Sequence, residues 1–137
     1  MNETWAKYGL WLAGFANIGG VLLFSRGLTN DALFLNDPVV MSRFGLVMII
    51  VWGLAYVAAA SKALEHRWIV GVFALEKAVY VGVWMLWMID NGANLGSIYS
   101  DDILAGIFFS IYGLNDLAFL LLFVMVFRAA KAPAAGQ

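Results

Sequence analysis

Four long apolar runs, about Trp5–Phe24, Phe44–Ala60, Trp68–Ile89 and Ile103–Phe127, dominate the chain, with short polar stretches between them. Each is near or above the ~17–25 residues that a helix needs to cross a bilayer. None alternates apolar and polar residues as barrel strands do. The pattern therefore predicts an all-α fold: a polytopic membrane protein built as a four-transmembrane-helix bundle, with helices at about 4–25, 38–61, 66–89 and 101–128. On this reading residues 1–128 are one domain, and 129–137, Ala-rich with Pro133 and Gly136, form a disordered tail.

The expected boundaries have local causes. Gly27, after Ser25-Arg26, suits the left-handed residue that follows a helix. Asp37-Pro38 reads as a start, with Asp37 as cap and Pro38 in the first helical position. Lys62 to Arg67 is a short polar turn, which makes the second and third helices antiparallel neighbours. Asp90-Asn91-Gly92 stops the third helix, and Ser100-Asp101-Asp102 opens the fourth with acids where the helix dipole favours them.

Composition narrows the class further. Of 137 residues, 64% are hydrophobic and 12% charged, about half the charged share of a soluble domain. The net charge is −1, with basic residues mostly at segment ends, so nucleic acid is not an expected partner. The absence of Cys removes disulfides and thiolate-held metals, and the one histidine, His66, falls in a predicted loop, which excludes a haem between two intramembrane histidines. No cofactor and no metal are expected. The N-terminal MNETWAKYG lacks a basic leader and a small-residue cleavage site, so the first run is expected to be retained.

Charge also orients the helices. Lys7, Lys62, Arg67, Arg128 and Lys131 fall at one end of the predicted bundle, and Arg26 and Arg43 at the other. This bias predicts a multi-pass protein of a cytoplasmic (inner) membrane with both termini inside. The opposite end carries Asp31, Asp37, Asp90, Asp101 and Asp102, read as helix caps and solvated loops. Trp5, Trp11, Trp68, Trp87 and Tyr99 lie near predicted interfaces, where amphipathic rings anchor helices.

Against this apolar background, Glu76 and Lys77 stand side by side near the middle of the third run. An ionisable group at that depth costs roughly 2.5–3.5 kcal/mol on insertion scales, so it needs a partner or a function. At 1.5 Å per residue, Asn17, Tyr56, Glu76, Lys77, Asn115 and Asp116 all lie within roughly 6 Å of their helix midpoints. Every helix thus brings a polar group to one level. Lys77 is rotated about 100° from Glu76, so the two need different partners. Lys77 is expected to pair with Asp116, leaving Glu76 to Asn17, Tyr56, Tyr80 or Tyr112 as donors. With two acids and one base, one acid is expected to hold a proton at rest, and Glu76 is the candidate. Helical spacing adds Trp52, Trp84 and Phe109 to an aromatic stripe around Tyr56, Tyr80 and Tyr112. A short repeat runs alongside: Trp52-Gly53-Leu54-Ala55-Tyr56-Val57-Ala58 resembles Tyr112-Gly113-Leu114-Asn115-Asp116-Leu117-Ala118 at an offset of 60, which also places Asn17 over Lys77.

Hydrolytic machinery finds little support: Ser110 is the hydroxyl well inside the fourth run, no intramembrane His can serve it, and no metal-ligand spacing or phosphate-binding glycine loop occurs in the spans. A retinoid-type Schiff base on Lys77 would have only a thin cage of four helices. The expected function is non-enzymatic. Glu76, Lys77, Asp116, Asn17, Asn115, Tyr56, Tyr80, Tyr112, Trp52 and Trp84 form a candidate site that binds or transports a small lipophilic or cationic molecule, or a proton. The alternatives are an accessory or oligomer-forming membrane subunit whose buried polar residues lock helices together, and an acid/base isomerase acting on a lipid with Glu76 and Asp116 moving a proton. A homo-oligomer or a partner membrane subunit is expected, with Ala55, Ala58, Ala59 and Ala60 as a packing face.

Overall fold

The structure, a computed structural model, describes residues 1–130 and is all-helical among them. It comprises α1 (Glu3–Phe24), α2 (Asp31–Asn36), α3 (Arg43–Ala59), α4 (Arg67–Asn91), α5 (Leu95–Asp101) and α6 (Ile103–Ala129). The chain over α1, α3, α4 and α6 supplies four helices long and apolar enough to cross a membrane. Only 22–33% of the residues in each apolar window are buried, so the outer surface is as apolar as the core. Leu12, Phe15, Leu54, Leu75, Leu86 and Leu121 all point outward.

Side-chain caps set the helix starts. Asn2 accepts the Trp5 N–H at 2.9 Å, and Asp102 accepts the Ala105 N–H at 2.8 Å. α1 ends in a turn with three consecutive residues in the left-handed region, Arg26 (φ 48°), Gly27 (66°) and Leu28 (70°). Gly27 adopts it without a Cβ penalty and returns its N–H to the Leu22 carbonyl at 2.9 Å. For Arg26 and Leu28 the conformation is held from outside. Buried Ser25 accepts the Leu28 N–H at 2.8 Å, and the Arg26 guanidinium reaches Asp102 at 2.5 Å.

One helix start departs clearly from the sequence expectation, and two short helices are added. The second long helix begins at Arg43 rather than Pro38, because Asp37 closes a turn on the Val40 N–H at 3.0 Å and Ser42 becomes the cap by accepting the Gly45 N–H at 3.0 Å. Gly45 is required there, since a Cβ would run into the Val40 carbonyl. Two short helices, α2 and α5, occupy stretches expected to be loop. The expected disordered tail from Lys131 lies outside the described residues.

The long helices associate as two pairs, α1 with α3 and α4 with α6, and α5 lies along α6. Within the first pair the backbones nearly touch. A Cβ on Gly14 would meet the Gly53 carbonyl at 2.7 Å, and one on Gly53 would meet the Gly14 carbonyl at 2.9 Å. In the second pair Gly113 makes room for the indole of Trp84. The turn between α3 and α4 was expected to make those helices neighbours; they meet through Trp52 and Tyr56 against Phe73, but less extensively than either pair.

Two apolar clusters cap the bundle. Ala6, Leu10, Ala60, Val70, Phe123 and Val126 pack at the end shared by the start of α1 and the end of α6. Val21, Leu33, Met41, Leu46, Trp87 and Phe108 pack at the other. Trp87 is therefore core and not an interfacial anchor: it stacks on Phe109 at 4.3 Å and donates to the Asn36 carbonyl at 3.0 Å. Trp5 and Trp68 are exposed.

Candidate functional site

Between the two apolar clusters lies a buried polar layer to which all four long helices contribute. The Lys77 ammonium on α4 donates to Asp116 Oδ1 of α6 at 2.5 Å and to Asn17 Oδ1 of α1 at 2.9 Å. Both Lys77 and Asp116 are buried, with 1% and 9% of their side chains exposed, so this pair is not a solvent-screened surface contact. Asn17 uses its amide N–H on the Ile49 carbonyl of α3 at 3.2 Å, within its own helix pair, while the Lys77–Asn17 bond ties the two pairs to each other. The Lys77 nitrogen also sits 5.5 Å from the centre of the Tyr56 ring, within cation–π range.

Glu76 has a separate environment, as the angular spacing on α4 implies. The Tyr56 hydroxyl of α3 donates to its Oε2. Its Oε1 is buried and has no hydrogen-bond partner among the described residues, and neither has the hydroxyl of Tyr112. A buried polar atom without a partner costs about 1–3 kcal/mol, so two of them in one place call for an explanation.

Both residues line one cavity of about 110 Å³. Its polar wall is Asn17, Glu76, Lys77 and Asp116, with the rings of Tyr80, Phe108 and Tyr112 across from them. A water needs only ~10–15 Å³ of such space, so the cavity has room for several waters or a small head group.

The structure brings together most of the residues singled out from sequence, and separates two, Trp52 and Trp84. Glu76, Lys77, Asp116, Asn17, Tyr80, Tyr112 and Asn115 line the cavity, and Tyr56 touches its wall through Glu76. Asn115 lies on the outer surface of the bundle, at the cavity's edge and not in its depth. Trp52 is turned against Phe73 in the terminal-end cluster. Trp84 sits in the notch left by Gly113 and donates its indole N–H to the Phe109 carbonyl at 2.8 Å, so it serves the α4–α6 contact. Asn17, expected among donors to Glu76, serves Lys77 instead. Sequence reasoning missed Gly20, Val21, Phe24, Met41 and Ile49 as cavity residues. Of these only Gly20 carried a signal, as a small residue one turn from Asn17.

The offset of 60 recurs in the geometry. Asn17 and Lys77, 60 apart, bond to each other. The Ile49 and Phe109 carbonyls, at the same offset, each accept a side-chain donor from the preceding long helix of their pair. Tyr56 and Asp116, again at that offset, hold Glu76 and Lys77 respectively. The partners themselves do not keep the offset, since Asn17 and Trp84 are 67 apart and Glu76 and Lys77 adjacent, so the contacts are not repeated between the halves.

Comparison with family models, curated proteins and solved structures finds no match. Two acids face one base in the cavity wall, and only one acid has the base. Glu76 is free to hold a proton or to face a cation, while Lys77, Asp116 and Asn17 satisfy one another.

Outside the four long helices, Asp102 anchors one end of the bundle. Burial works against its charge, but the Ala105 N–H, Arg26 and Asn30 hold its carboxyl below the usual carboxylate range.

Proposed function

We propose that the chain is an integral membrane protein whose midplane cavity binds or transports a small lipophilic or cationic molecule, or a proton, with Glu76 as the exchangeable group. The observation that carries this reading is the pairing of an unpartnered Glu76 oxygen and an unpartnered Tyr112 hydroxyl on one cavity. Structural glue alone would leave a dry, fully paired network. The bias of basic residues supports insertion in a cytoplasmic membrane with both termini inside.

One observation favours the structural alternative for part of the layer. Lys77, Asp116 and Asn17 are mutually satisfied, as residues that fix helix register would be. The two roles divide cleanly on this basis, with the triad holding the halves together and Glu76 serving the ligand.

The test uses the protein in lipid nanodiscs, wild type and Glu76→Gln, with tetraphenylphosphonium, tetradecylamine and pH as probes of thermal unfolding. Support is a probe-dependent shift in the wild type that Glu76→Gln loses while keeping its fold and oligomeric state. A Glu76→Gln protein that aggregates or changes oligomeric state, with no probe shifting the wild type, would show Glu76 to be structural.

A further inference from the structure

Resting on that reading, the geometry points to a narrower ligand class and a route: a primary or secondary amine with an apolar tail, taken from the bilayer through a side opening between α1 and α6. The nitrogen would sit at Glu76 Oε1, and the tail would leave through the opening into lipid.

The route follows from what is closed and what is open. At one end of the cavity Phe24 meets Phe108 at 5.8 Å, and Met41 is fully buried behind them. Above these residues, the Arg26–Asp102 ion pair and the Asn30–Asp102 hydrogen bond fasten the turn after α1 to the start of α6. Toward the other end the rings of Tyr56, Phe73 and Phe123 close on one another at 4.8, 5.0 and 5.9 Å. Both water-facing ends are thus filled.

The side is different. Gly20 on α1 is a half-buried cavity residue with nothing within 4 Å of where its Cβ would be. Across from it on α6, Ile111 is 43% exposed and Asn115 is exposed, and both also line the cavity. Residues that reach both the cavity and the outer surface define a mouth. Its level in the bundle is mid-span, where the surroundings are hydrocarbon.

The chemistry follows from the unpartnered atoms. Glu76 Oε1 accepts a hydrogen bond or gives up a proton, and the Tyr112 hydroxyl can turn to either role. A neutral amine crossing from lipid takes the proton that Glu76 holds, giving an ammonium facing a carboxylate. No charge is created beyond that balanced pair, so the apolar surroundings are not asked to hold a net charge. The rings of Tyr80, Phe108 and Tyr112 then offer their faces to the ammonium. A quaternary ammonium has no N–H for Oε1 and cannot accept the proton.

The probe is a tetradecylamine bearing a diazirine close to its nitrogen, photolysed with the full-length protein in phosphatidylcholine vesicles, with labelled peptides mapped by mass spectrometry. Labelling is expected at Ala16–Phe24 and Phe108–Asn115, displaced by unlabelled tetradecylamine and about tenfold or more less well by tetradecyltrimethylammonium, as loss of a charge-assisted hydrogen bond implies. Glu76→Gln should lose it. Gly20→Trp should block the mouth and abolish labelling, whereas Gly19→Trp, one position away with equally open space, should not. Ile111→Trp on the opposite rim repeats the test should Gly20→Trp not fold.

If butylamine competes as well as tetradecylamine and Gly20→Trp labels normally, the side route is overturned while binding at Glu76 stands. If no amine labels the cavity in the wild type, the binding reading itself falls. Including phosphatidylethanolamine in the vesicles separates the two sources of a tailed amine: competition assigns the site to a lipid head group, and none assigns it to a free amine.

Discussion

Replacing Lys77 by Met removes the cation from a buried pair and leaves Asp116 facing Asn17 Oδ1 with no donor between them. The size of the loss can be bracketed from the geometry. Neutral hydrogen bonds inside a membrane average about 0.6 kcal/mol and reach about 1.7, because the unfolded protein in lipid also finds partners. Removing one member of a buried ion pair costs about 3–5 kcal/mol, since a charge is left without its counter-ion. Lys77 and Asp116 are 2.5 Å apart with 1% and 9% of their side chains exposed, which puts them near the second case. We expect Lys77→Met to destabilise by about 3 kcal/mol, and Asp116→Leu by a similar amount. The double variant should recover most of this, leaving about 1 kcal/mol for the Asn17 oxygen that has lost its donor. Steric trapping in bicelles measures all four corners of the cycle on reversible unfolding. With single losses of about 3 kcal/mol each and about 1 kcal/mol for the double variant, the coupling should be about 5 kcal/mol. Additive single losses, with coupling near zero, would refute the pairing and with it the division of the layer into a structural triad and a free acid.

Two further outcomes follow from the packing and the cap. Gly113→Ala pushes a methyl into the Trp84 indole and should destabilise by about 1–3 kcal/mol, whereas Gly82→Ala, with nothing near its Cβ, should be neutral or stabilising by up to about 1 kcal/mol; thermal unfolding of both variants checks the contrast. Asp102, whose carboxyl is held low by the Ala105 N–H, Arg26 and Asn30 against its burial, stabilises the fold above the unfolded carboxyl value of ~3.9 and loses that contribution as pH falls through its lower folded value. Asp102→Asn can still cap α6 but loses the ion pair with Arg26, so it should be less stable than wild type at neutral pH, with the gap closing as the wild-type carboxyl protonates. Unfolding of the two proteins across the acid range reads this directly.

The four long apolar helices could be read from the sequence because length and uniform apolarity are one-dimensional properties. The Lys77–Asp116 pair was also readable, since helical rise fixes depth and the 100° step separates Lys77 from Glu76. Neither rule gives the rotation of one helix pair against the other. That rotation sends Asn17 to Lys77 rather than to Glu76, and it puts Asn115 on the outer surface. Trp84 was misplaced for a different reason. It shares a helical edge with the polar residues, yet Gly113 opens a notch that draws its indole into the α4–α6 contact. The start of α3 turned on a competition between two capping residues, Asp37 and Ser42. Gly45, which admits the Val40 carbonyl, decided it. The short α2 has its own side-chain cap in Asn30, but a six-residue helix leaves too brief a pattern to stand out from a loop.

On the proposed reading Glu76 is a surplus acid, protonated at rest and open to a ligand. Infrared difference spectroscopy of wild type against Glu76→Gln in vesicles tests it most directly. At neutral pH the wild type should show one protonated-carboxyl band that the variant lacks, and that band should convert to carboxylate when tetradecylamine is added. A Glu76 that is fully ionised before any ligand is present, or a protonated band that tetradecylamine leaves unchanged, would contradict the account.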